Sequence, residues 1–287
     1  MTAAVPGTPA PPPSPGGTPP GAPAPPPVPA AGAGPSPADR RAPSPFLAII
    51  GYTLRACLPA KRWWGVVLPC LAALGFGWLA TVDDTTSVHR SFADVAEHGL
   101  FGLVLPLTCL VLGDAVMGAD IRAGTFSLTW LSPVRFPTIV VGRWLGAWLV
   151  ALATLVPAMV LATAVADLPE GAGPMALATA TGSAAYLGLF VMIGVLVRRS
   201  AAWSLAVVLL GEQVVGGSLS AIAQISPMWE AQQVYAGLAD DAGGWRLLRD
   251  GTPNGAGAVV RLALILVVTL AVATWRMGRL RPADGDE

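Results

Sequence analysis

Charge is what this sequence has least of. Aspartate, glutamate, lysine and arginine make up 12% of its 287 residues, where a soluble domain carries about 25% to cover its core with a solvated shell. With 54% of the residues hydrophobic, water is excluded as the solvent for much of the chain, and lipid remains. Lysine is scarcer still: among 17 basic residues only Lys61 is one, and it follows Pro59-Ala60. A nucleotide-hydrolysing P-loop needs a lysine behind glycine to reach the phosphates, so none is present. Histidine is limited to His89 and His98, placed by this reading in an outer loop among carboxylates, without metal-ligand spacing. No H-E-x-x-H or G-x-S-x-G occurs. Cys57, Cys70 and Cys109 lie in or beside apolar segments, none in a C-x-x-C pair. They read as small buried hydrophobes rather than as disulfides or zinc ligands. Acids and bases balance at 17 each, which removes any electrostatic pointer to nucleic acid.

Proline, by contrast, is concentrated. Residues 1–45 hold 17 of the 28 prolines, mixed with Ala, Gly and Ser. The stretch 1–44 cannot bury enough apolar surface to offset its ordering entropy, and it predicts a disordered tail with polyproline II character. The first apolar run follows Lys61-Arg62, and Gly77-Trp78-Leu79-Ala80 at its end makes a poor cleavage site. That segment is therefore expected to stay as a mature helix. Before it, Ser44-Pro45 offers a cap with proline at the first helical position. Phe46, Ile49, Ile50, Thr53, Leu54, Cys57 and Leu58 then recur at three- and four-residue steps. Residues 45–62 thus predict an interfacial amphipathic helix leading into the membrane.

Six apolar segments follow, near 63–81, 99–117, 144–166, 175–197, 202–224 and 258–275. Each approaches the roughly 20 residues that a bilayer core of about 30 Å requires. The expected fold is an all-α integral membrane protein, with a six-helix domain over 63–276 and a short tail over 277–287. Orientation follows from basic residues. With the N-terminus inside, thirteen of the seventeen fall on the cytoplasmic side, leaving Arg90, Arg246, Arg249 and Arg261 outside. Both termini are then cytoplasmic and the host membrane is the plasma membrane. A short outer helix is expected over Pro227–Leu238. Gly142-x-x-x-Gly146, and Gly211 with Gly216-Gly217-Ser218, are small-residue stretches that let helices approach closely. Glu212, mid-helix beside Gln213, reads either as a pathway or dimer-seam residue or as an interhelical hydrogen-bond partner.

The most informative stretch joins the second and third spans. Asp114, Asp120, Arg122, Gly124-Thr125, Phe126, Leu128, Trp130, Leu131, Ser132-Pro133-Val134-Arg135 and Gly142-Arg143 follow one another there. Gly124-Thr125 can break and recap a helix, and the apolar residues after it form a surface too short to span. Arg143 reads as a marker of the interface where the third span enters. This pattern resembles permeases of the type-2 ATP-binding cassette superfamily, with Ala123 where a second acid is common and Asp120 where glutamate is usual. The resemblance covers about residues 45–280, and only 114–146 is motif-like. It implies that 120–135 is a coupling helix docking on a separate ATPase subunit, and that ATP sits on that partner while this chain carries no cofactor. It further implies a homodimer, or a heterodimer with a second permease, working as an exporter that is not itself an enzyme. Two rivals stay open. A lipid-modifying membrane enzyme would need convergent His, Asp or Ser groups near one face. A non-transporting immunity or sensory protein would tolerate loss of the docking segment.

Overall fold

The computed structural model describes residues 44–57, 64–82, 87–118, 134–197, 200–208, 225–239, 244–248 and 253–279. Among these, every regular element is helical. Helix α1 spans Pro45–Cys57 and α2 Trp64–Val82. Helix α3, Val88–Val95, runs through a π-helical stretch, Ala96–Val104, into α4, Leu105–Gly113, and ends in a second π-helical stretch, Asp114–Gly118. Then come α5 (Phe136–Val165), α6 (Ala172–Leu196) and α7 (Ser200–Ala206). The short helix α8 (Pro227–Ala236) and α9 (Ala256–Arg279) complete the described α-helices.

Among the described residues, five helices are long and apolar enough to cross a membrane: Trp64–Val82, Val88–Met117, Phe136–Val165, Pro169–Leu196 and Ala256–Arg279. The protein is therefore a helical, multi-pass membrane protein. The sixth expected span, 202–224, has only its first residues described, and 209–224 lie outside the described residues. So do the 1–43 tail, Leu58, Lys61, Arg62 and the 280–287 tail.

Two spans start earlier than hydropathy predicts. The second begins at Val88 rather than near 99, and the third at Phe136 rather than near 144. Each is then 30 residues long, about 45 Å at 1.5 Å per residue against a core of about 30 Å. The polar residues that end a hydropathy window thus sit on helix that continues beyond the hydrocarbon. His89, Arg90, Asp94, Glu97 and His98 belong to this projecting helix and not to a loop. Phe92 and Phe101 hold it in place, their rings 6.4 Å and 6.0 Å from that of Tyr235 on α8. In the same span Pro106 lacks an N–H, and the helix passes into it from the wide π turns. Thr108 Oγ1 satisfies the carbonyl of Val104 at 2.7 Å.

Helix α6 is central, with 72% of its span buried, whereas α2 and α9 are peripheral at 22%. It is buried on nearly all sides and rich in small buried residues, including Gly182, Ser183, Ala184, Ala185 and Gly188. Lipid supplies no hydrophobic drive between helices, so close packing and polar contacts hold them. Trp144 and Trp148 of α5 stack with centroids 5.5 Å apart, and each indole N–H donates at 3.0 Å to an α6 carbonyl, of Ala184 and Ala180. At Gly77 of α2 a Cβ would collide with the backbone of Ala162 on α5.

Candidate functional site

The α1 face anticipated from its spacing does pack, and what receives it is the Gly142-x-x-x-Gly146 stretch of α5. A Cβ placed on Gly142 would stand 3.0 Å from Ile49 Cγ2, and one on Gly146 2.7 Å from Thr53 Cβ. Ile50, Thr53 and Cys57 are buried against this surface, while Leu47, Tyr52 and Arg55 face outward. Ser44 caps the helix loosely, accepting from Leu47 N at 3.4 Å. Thr53 returns its hydroxyl to the Ile49 carbonyl at 2.9 Å, which satisfies that donor on the buried face.

Between the two glycines stands Arg143, 6% exposed. Its Nη1 donates to the Val116 carbonyl at 2.8 Å and approaches Met117 Sδ at 3.7 Å. Its guanidinium also lies 5.7 Å from the centre of the Tyr52 ring. The physical reason is local. The last carbonyls of a helix have no partner within it, and the negative end of its dipole favours a cation. Val116 lies in the closing π-helical stretch of the second span, opened by half-buried Asp114. Arg143, expected from the sequence to mark the interface where the third span enters, is buried between helices where it stands. It is a buried clasp joining α1, the end of the second span and the start of the third.

These are the two ends from which 119–133 departs. Arg135, exposed and in extended conformation, caps α5 as the first predicted docking residue that is described. Asp120, Arg122, Gly124, Thr125, Leu128, Leu131, Ser132 and Pro133 lie outside the described residues, as do Glu212, Gln213, Gly216 and Gly217.

No protein-family model matches the sequence, and no curated protein matches it. The site therefore stands on its geometry. Among the described residues, no group of three or more His, Cys, Asp or Glu side chains gathers where a metal would bind.

A second polar assembly lies at the opposite end, on α8. Glu230 is 1% exposed and pairs with Arg261 of α9, Oε1 to Nη1 at 3.2 Å, while its Oε2 has no partner. Gln232 donates to the Glu97 carbonyl at 3.1 Å, and Gln233 to the Leu247 carbonyl at 2.7 Å. Sequence reading anticipates the outer helix but not this pairing, because Glu230 and Arg261 lie in segments with no shared pattern.

Burial raises the Glu230 carboxyl above its ordinary value, and Arg261, by hydrogen bond and charge, draws it back only in part. A carboxyl raised in the folded state holds its proton more tightly there than in the unfolded chain. Its contribution is then fully present below the ordinary carboxylate range and is lost as pH rises through the folded value. We expect the thermal midpoint of the purified protein to gain a component as pH falls toward the ordinary carboxylate range. Glu230→Gln should lack that component, and superimposable pH profiles for the two proteins would contradict the assignment.

Proposed function

We propose that this chain is the membrane-spanning subunit of an ATP-driven exporter of the type-2 ATP-binding cassette kind, working as a dimer with itself or with a second permease. Its ATP-hydrolysing partner is a separate subunit, which docks on residues 120–135 at the cytoplasmic face of the plasma membrane. The observation that carries this reading is the convergence at Arg143. The segment 119–133, too short and too interrupted to span, departs from two helix ends held together by a buried cation and braced by α1.

Such a root transmits force. When the ATPases close on the segment, the push reaches the end of the second span through Val116 and the start of the third through α5. Because Arg143 ties them, the two spans tilt together instead of splaying, and α1 moves with α5 in its glycine groove. The tilt changes access to a path between subunits, where Glu212 and Gly216-Gly217 are the candidate lining. Chemistry in this chain is not required, since ATP is bound and hydrolysed by the partner.

The test uses an affinity-tagged full chain in its native membrane, carrying Asp120→Arg or Gly124→Pro. Copurifying vanadate-sensitive ATPase activity should fall about tenfold or more, equivalent to about 1.4 kcal/mol of docking energy, while the amount of inserted chain stays constant. Undiminished ATPase activity with both variants would overturn the reading.

A further inference from the structure

The last span carries an exposed apolar surface into a cationic end. Val260, Leu264, Val267 and Val268 of α9 are each more than half exposed, at steps that form a single outward stripe. Trp275, 56% exposed, and Arg279 continue that stripe to the end of the helix. The Arg279 guanidinium lies over the Trp275 ring, 4.2 Å from its centre, a cation–π contact that holds the charge at the surface. Arg276 stands beside them, and its Nε is buried without a hydrogen-bond partner. From Val268 to Arg279 the helix rises about 16 Å, close to half of a core about 30 Å thick. An acyl chain lying on the valine and leucine stripe thus brings its phosphate to the level of the two guanidiniums.

We propose that Trp275, Arg276 and Arg279 form a binding site for the phosphate headgroup of an anionic phospholipid. The unpaired Arg276 donor costs free energy where it is, and a phosphate oxygen recovers that cost once the side chain turns outward. A guanidinium offers phosphate a planar, two-pronged contact, which an ammonium does not. The indole supplies the amphipathic ring that settles at headgroup level. The two arginines outweigh the partial negative charge of the helix C-terminus. They also select a net anionic lipid, because the ammonium of a zwitterionic one offsets its own phosphate. The proposal needs only that α9 spans the membrane, and it is independent of the exporter reading.

The experiment titrates the full-length protein in detergent with phosphatidylglycerol or phosphatidylcholine and counts bound lipids by native mass spectrometry. Phosphatidylglycerol should bind more tightly than phosphatidylcholine, and the Arg276→Gln/Arg279→Gln variant should weaken its binding about twentyfold. The Arg276→Lys/Arg279→Lys variant should retain part of it, keeping the charge but not the two-pronged contact, which separates charge from folding. Arg90→Gln, an exposed cation at the other end of the molecule, should change nothing. Equal binding of the two lipids, or no loss in the glutamine pair, overturns the proposal. So does loss in the lysine pair as complete as in the glutamine pair. Displacement of phosphatidylglycerol by millimolar inorganic phosphate would assign the site to a soluble anion and overturn it as well.

Discussion

Gly146→Leu is expected to expel α1 from the third span while leaving the spanning helices inserted. Even the first carbon of a side chain at this position meets Thr53 Cβ at 2.7 Å and the Ile50 carbonyl at 3.3 Å. Ordinary van der Waals contact lies near 3.5–4.0 Å. Neither neighbour can yield cheaply, since one is a β-branched side chain and the other is backbone. Overpacking of this kind costs about 1–3 kcal/mol, and the short α1 has little else to hold it to the bundle. Its thirteen residues bury only Ile50, Thr53 and Cys57. A reporter lies one turn away. A Cβ on Gly142 stands 3.4 Å from Ile49 Cβ, near the separation that a disulfide spans. The Ile49→Cys/Gly142→Cys pair should therefore cross-link readily in membranes, and adding Gly146→Leu should lower the yield several-fold, as a loss of about 1–2 kcal/mol implies. Unchanged cross-linking would mean that the glycine groove does not hold this helix.

The larger energetic effect is expected at Arg143. Arg143→Met keeps an unbranched apolar stem but removes the donor to Val116 and the cation over Tyr52. A hydrogen bond from a charged group contributes about 1.5–3 kcal/mol, and a cation–π contact about 0.5–2 kcal/mol. The Val116 carbonyl, at a helix end, is then left to find another donor. The sum is on the order of 3 kcal/mol, enough to lower the thermal midpoint and, through loss of the Tyr52 contact, the cross-linking of α1. Arg143→Lys should recover part of the midpoint, because an ammonium can still reach the carbonyl, but less of the α1 contact, because it lacks the planar face. If Met and Lys variants behave alike, the charge at this position is irrelevant and the clasp is wrongly assigned.

Much of the α1 site was legible before its geometry. The recurrence of Phe46, Ile49, Ile50 and Thr53 marks the buried face, and Gly142-x-x-x-Gly146 marks a surface ready to receive a helix. What no periodicity carries is that the two are partners, since spacing within a helix says nothing about which other helix it meets. The helix starts differ from the hydropathy segments for a different reason. Hydropathy registers where lipid ends, whereas α3 and the first turns of α5 are helix continuing past that point. Arg143 combines both difficulties. An arginine near a span end ordinarily marks the interface, and only the return of Val116 from 27 residues away turns it into a buried cap. The short helix expected over Pro227–Leu238 is seen over Pro227–Ala236, while its ion pair to Arg261 depends on how α8 lies against α9.

The account depends most on which side of the membrane bears the Arg143 root. In a chain with Cys57, Cys70 and Cys109 replaced by alanine, Asn254→Cys and Pro137→Cys are exposed probes at the two ends. A membrane-impermeant maleimide applied to intact cells should label Asn254→Cys at once and reach Pro137→Cys only after permeabilisation. The reverse pattern would put the proposed docking segment outside the cell, away from any ATP-driven partner, and would contradict the account.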